Sequence, residues 1–223
     1  MLRRLLLAPL LAGLLLLPTP AAHADTWEGA DASGDVHAST YQPEPPPCGT
    51  YTDEVRPEES SHDIVRLAVT HRRAAVRLVV DFRDLSRRGQ HSTDLFLRTA
   101  ATTWELDVSR DRRRGKTRTF LARAPDYEAA AEDANECGMY FVNSGGPECP
   151  GLEARVLPRR DRVVAVIPRS CLRNPRWVRA AATAYGDGSG DSTLHDRWVP
   201  EGRADNDRVI GPMGPRVRRG AAS

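Results

Sequence analysis

This 223-residue sequence predicts an all-β protein: an antiparallel β-sandwich or jelly roll of about eight to ten strands, with at most one short helix. Three observations carry that expectation. Apolar residues alternate with polar ones over residues 62–82 and in shorter runs as far as 185, and a strand, unlike a helix, repeats every two residues. Turn-forming residues, 17 Gly and 17 Pro among them, divide the chain so that these runs recur about every 8–12 residues. Four cysteines follow a leader-like start, the usage of an exported chain stapled by disulfides.

Residues 1–24 read as a secretory signal peptide. Arg3 and Arg4 supply the positive end, and Ala22-His23-Ala24 is an A-x-A cleavage site. The apolar stretch 5–17 between them is short and broken by Pro9 and Gly13, a poor membrane span. The expected mature chain starts at Asp25 and is secreted, with no further apolar run to hold it in a membrane. Loss of Arg3 and Arg4 leaves 30 basic against 30 acidic residues, whereas a nucleic-acid binder carries a basic excess. Nucleic acid is therefore not an expected partner.

Residues 25–61 are polar and Pro-rich and read as an extended N-terminal arm, with a short strand over 35–39 and an acidic linker over 53–61. The sandwich is expected over 62–200. Its centre is a hairpin: Val65, Leu67 and Val69 share one face of the first strand, and Ala74, Val76, Leu78, Val80 and Phe82 one face of the second. Arg66 and Arg77 fall on outward faces. The connection His71-Arg72-Arg73 lacks Gly and Asn, which argues for a loop of about four residues over a two-residue turn. Strands follow at 93–99, with Leu95 and Leu97 inward, and at 101–109, with Trp104, Leu106 and Val108 inward. A loop containing Gly115, placed for a positive φ, leads to a strand at 116–123. Residues 126–136 are the one helical stretch, capped by Asp126 and rich in alanine. A short strand over 138–142, a hairpin of 153–157 with 162–167, and a strand over 177–185 complete the set. After Gly186 no pattern is sustained, and 201–223 read as a flexible tail.

Cys149 and Cys171 sit just outside the two ends of the 153–167 hairpin, whose strands bring them together. Cys48 and Cys137 remain to tie the arm to the body. No C-x-x-C pair exists and the histidines lie far off in sequence, so zinc is not expected.

The segments Asp31-Ala-Ser-Gly-Asp-Val36, DIVRLAVTHRRAAVRLVVDFRDL, TTWELDV and VVAVIPRSCLRNPRWVRAAA resemble a group of secreted actinobacterial proteins of unknown function. That group is similar to β-sandwich modules of the carbohydrate-binding type. The resemblance implies the fold more than an activity.

Candidate sites are few. Trp177 and Tyr185 share strand parity with Arg179 and Thr183, and sugar rings stack on exposed aromatics; these two are the expected binding residues. Asp31, Ser33 and Asp35, and again Asp187, Ser189 and Asp191, set oxygen side chains at alternate positions as calcium loops do. Neither has the Gly and Glu of an EF-hand loop, so ordinary turn chemistry is expected, with no metal ligand and no cofactor assigned. The basic loop 111–116 offers charge for an anionic polymer. Asn143-Ser-Gly-Gly-Pro147 is similar to the nucleophile segment of chymotrypsin-like proteases, with His71 and Asp94 or Asp107 in matching order. The Gly-Asp that precedes that serine is Val142-Asn143 here. The expected function is a non-catalytic binding or interaction module at the cell envelope or outside the cell, its partner a glycan or cell-wall polymer. The alternative is a secreted serine hydrolase using Ser144 and His71.

Overall fold

The computed structural model describes residues 25–43, 47–86, 90–111, 115–137, 145–188, 190–201, 203 and 209–220. The leader and the strand expected at 138–142 lie outside these residues. Two antiparallel sheets stack face to face. Numbered in chain order, β1 (Asp25–Ala30), β4 (Ile64–His71), β5 (Ala75–Phe82), β10 (Arg162–Pro168) and β9 (Glu153–Leu157) form the first sheet, in the order β1-β4-β5-β10-β9. The second runs β3 (Thr50–Val55), β2 (His37–Gln42), β12 (Ser192–Arg197), β11 (Trp177–Asp187), β6 (His91–Arg98), β7 (Thr103–Arg110) and β8 (Thr117–Arg123). A two-residue strand, β13 (Val217–Arg218), pairs with β11.

One core fills the space between the sheets. Val76, Leu78, Val80 and Phe82 of β5 and Val163, Ala165 and Ile167 of β10 meet Leu95, Leu97, Trp104, Leu106 and Val108 of β6 and β7. Each strand contributes alternate residues, so period two in sequence becomes one buried face per strand. Small residues line β11 at Ala180, Ala182 and Ala184, opposite this bulk.

The central hairpin departs from strict alternation at one point. The register of β4 on β5 shifts between Ile64 and Arg66, a bulge that gives Ile64 the inward position expected for Val65. Ile64 is fully buried and Val65 is not. The Val65 carbonyl accepts instead from the backbone N–H of Asp31 at 3.1 Å. Outward-facing Arg66 pairs with Asp81 at 2.5 Å, which also holds Arg162 at 2.8 Å. The connection is three residues, 72–74, closed by Arg72 N–H to the Ala75 carbonyl at 2.9 Å, so Ala74, expected on the inward face, is exposed in the turn.

The helix α1 (Tyr127–Glu132) is shorter than 126–136, although Asp126 caps it as expected, accepting from Ala129 N–H at 3.1 Å. It buries none of its residues, so nothing extends it beyond its capped first turns. Gly115 takes φ +62°. The cysteines pair as Cys149–Cys171 and Cys48–Cys137, which fits an oxidising compartment.

The sandwich is larger than the expected 62–200. Residues 25–61 supply β1, β2 and β3 to both sheets, where an arm was expected. The stretch after Gly186 supplies β12. The C-terminal segment, expected as a flexible tail, lies against the body over its described part. Val217 is buried, Gly214 N–H donates to the Ala180 carbonyl at 2.9 Å, and Arg218 N–H donates to Asp25 at 3.2 Å. The reason is common to all five: these segments carry at most one or two inward apolar residues and get their order from backbone pairing. Trp27 of β1 completes the junction, packing edge-on to fully buried Trp198 with ring centroids 5.3 Å apart.

Candidate functional site

The outward face of the second sheet carries a cavity of about 780 Å³, within the range of ligand-binding clefts. Strand parity sets Arg98 of β6 and Arg179 of β11 into its floor, while Trp177 and Tyr185 share the face without lining the cavity. On β11 the small residues Ala180, Ala182 and Ala184 point into the core, which turns Trp177, Arg179, Thr183 and Tyr185 outward. On β6, inward Leu95 and Leu97 leave Asp94 and Arg98 outward. In register, Arg179 faces Arg98 and Thr183 faces Asp94, while Asp94 also faces Asp107 of β7. Like charges are thus set directly opposite one another twice on one face, an arrangement that costs stability.

The walls are the start of α1 and the segment 209–213, with Arg203 beside them. Arg179 is held in place by that segment. Its Nε donates to the Gly214 carbonyl at 2.7 Å and its Nη2 to the Met213 carbonyl at 2.9 Å. Burial, and then the neighbouring guanidinium groups of Arg98, Arg203 and Arg216, push its pKa down. Among the described residues none of Arg98, Arg179 and Arg203 is paired with a carboxylate. Asp126 and Glu128 line the opposite wall, the former occupied in capping α1.

Beyond this basic end the same face turns acidic. Burial, then Asp107 and Glu105, raise the Asp94 carboxyl to about 7. Tyr127 donates its hydroxyl to Glu105 at 2.7 Å, and burial followed by that bond pushes its own pKa upward. Burial and then Asp94 raise Tyr185 to about 12. The face therefore carries guanidinium groups at one end and a cluster of carboxyl and phenol groups at the other.

Trp177 and Tyr185 stand on this face as strand parity requires, but eight positions apart, roughly 27 Å along a strand. Trp177 lies at the basic end with the Arg216 guanidinium 4.5 Å above its ring. Tyr185 is half-buried at the acidic end. Arg98 and Arg203 went unremarked in the sequence. Parity alone places Arg98 outward, but only the pairing of β6 with β11 sets it against Arg179. A second aromatic pair arises only from strand pairing: Tyr41 and Tyr51, cross-strand partners on β2 and β3, are 42% and 71% exposed with ring centroids 5.2 Å apart.

The other candidates fall elsewhere. His71 is fully buried in the core, its Nδ1 3.2 Å from the Val217 carbonyl, and burial depresses its pKa. Asp94 and Asp107 lie on the far side of the second sheet from it. Ser144 and Arg112–Arg114 of the basic loop lie outside the described residues. Asp187 and Asp191 flank the β11–β12 turn, closed by Gly188 N–H to the Ser192 carbonyl at 2.9 Å; Ser189 lies outside the described residues. No family model, no curated protein and no solved structure matches this chain, so the reading of the site rests on its own residues.

Proposed function

We propose that the protein is secreted and acts as a non-catalytic binding module for an anionic glycan of the cell envelope, held in the cleft over β6 and β11. The convergence of Arg98, Arg179 and Arg203, without a carboxylate partner among the described residues, carries this reading. Such a cleft accepts carboxylate or phosphate groups through charge-assisted hydrogen bonds, each worth about 1.5–3 kcal/mol. Trp177 supplies an aromatic surface beside the cations, and the Asp94–Tyr127 end supplies donors and acceptors for sugar hydroxyls. The mature chain's neutrality favours a local charge match over general attraction to polyanions.

Titration calorimetry against uronate- or phosphate-bearing polysaccharides tests this. Binding is expected to weaken with salt and to fall at least about tenfold, or 1.4 kcal/mol, in Arg98→Glu. Arg98 suits the test because it is exposed and holds no backbone segment. Trp177→Ala weakens binding as well. Equal affinity of Arg98→Glu and the parent would overturn the assignment. So would fluorophosphonate labelling that disappears in Ser144→Ala, which marks a hydrolase.

A further inference from the structure

At the corner where the two sheets meet, Asp35, Asp63 and Asp196 each place a carboxylate oxygen within 4.8 Å of the others'. The three come from distant parts of the chain. Asp35 ends the loop before β2, Asp63 directly precedes β4, and Asp196 lies on β12. Asp31 stands beside them.

Their hydrogen bonds are mostly backbone donors. Asp63 accepts from Gly34 N–H at 2.7 Å and from Arg83 Nε at 3.2 Å, both through Oδ2. Asp196 accepts from Ile64 N–H at 2.6 Å and Arg197 N–H at 2.7 Å. Asp31 accepts from Ala32 N–H at 2.9 Å and Val199 N–H at 3.1 Å. Two oxygens have no hydrogen-bond partner among the described residues. Oδ1 of Asp63, on a fully buried residue, and Oδ1 of Asp35 are both shielded from solvent without a partner. A buried orphan acceptor forfeits its hydration with no return.

Four carboxylates against the single guanidinium of Arg83 need further neutralisation. Protons held by the carboxyls are one route, though no N–H or O–H donor among the described residues reaches the orphan oxygens. A cation is the other. We infer that Asp35, Asp63 and Asp196, with Asp31 alongside, form a binding site for a calcium-type divalent cation that clamps the first sheet to the second.

Donor chemistry selects the ion. All the groups are hard oxygens, as calcium and magnesium take. Calcium takes about six to eight oxygens at about 2.3–2.6 Å in flexible geometry, which an irregular set from three separate segments can supply, whereas magnesium demands a near-ideal octahedron. A cavity of about 210 Å³ lined by Asp35 and Asp196 opens beside the cluster, with room for the water ligands calcium also takes. The site is no EF-hand loop, and the alternation at Asp31 and Asp35 supplies only part of it. Asp63 and Asp196 enter through the fold. This inference is independent of the glycan cleft.

The test uses the oxidised protein freed of metal with EDTA. About 1 mM calcium, a concentration suited to extracellular modules, is expected to raise the melting temperature and give binding heat, with magnesium less effective. Asp35→Asn, at the less buried rim, is expected to fold without the calcium response, and Asp196→Asn likewise. Absence of any calcium-induced shift or heat in the parent overturns the site. An undiminished response in both variants does so too. The neighbouring His37, Asp53 and His195 also bring ligand atoms within 4.8 Å of one another. A response to zinc alone, lost in His195→Ala, would put the metal there and overturn the calcium assignment.

Discussion

Asp94 shows what a single carboxyl costs on a crowded face. Burial first, then Asp107 and Glu105, raise it to about 7 from an ordinary value near 4. A raised folded-state pKa means that the folded chain holds the proton more tightly than the unfolded one. The associated stability is complete below about pH 4 and is lost as pH rises through about 7. Asp94→Asn removes that dependence. Its melting temperature should exceed the parent's by more at pH 8 than at pH 5, with a stability gain at pH 8 on the order of 2 kcal/mol after allowing for partial exposure. A difference that stays constant across this range would show that Asp94 ionises freely in the folded state. At this scale the sequence was informative about direction and silent about company. Parity set Arg179, Trp177 and Tyr185 outward on β11, yet nothing in residues 177–185 names Arg98 as the residue opposite Arg179. The orphan oxygen of Asp63 is equally invisible in sequence, since it depends on Asp35 and Asp196 lying beside it.

Among the elements, β11 carries the tightest constraint. Gly186 sits where the ring of buried His62 crosses the strand, and a Cβ there would overlap His62 Nε2. The ring has little room to yield, being stacked on His91 with centroids 5.5 Å apart. Gly186→Ala is therefore expected to cost about 1–3 kcal/mol, measurable by urea unfolding. A variant as stable as the parent would show that the stacked pair can slide. The same strand explains why some elements were legible and others were not. Runs such as Val76–Leu78–Val80–Phe82 and Trp104–Leu106–Val108 announce themselves because every inward position is apolar. On β12 the inward positions are Leu194 and Asp196, so the alternation carries half its usual contrast. On β3 every residue is exposed and only its pairing with β2 defines it. Val65 was misplaced for another reason: a bulge changes parity without any mark in composition.

For the molecule as a whole, strand order depends on contacts that alternation does not encode. Period two shows that β5 has a buried face but not that β10 lies beside it, and so the sheet order had to come from structure. The disulfides were legible because hairpin geometry brings Cys149 and Cys171 together, leaving one remaining pair. Their loops differ, with separations of 22 and 89 residues. In the chain-entropy account the shorter closure is worth about 3 kcal/mol and the longer about 4–5. Replacing both cysteines of the Cys48–Cys137 pair by serine should thus lower the urea midpoint more than the same change at Cys149–Cys171, and the reverse ranking would count against an entropic origin. Asp25 and Arg218 meet through a backbone-to-carboxylate hydrogen bond, with β13 seated against β11. In a chain trimmed to residues 25–218, a short peptide joining those two positions would close a ring, and new ends cut in the 158–161 turn would leave every sheet neighbour in place. Such a circular permutant should reach the same fold by a different order of synthesis.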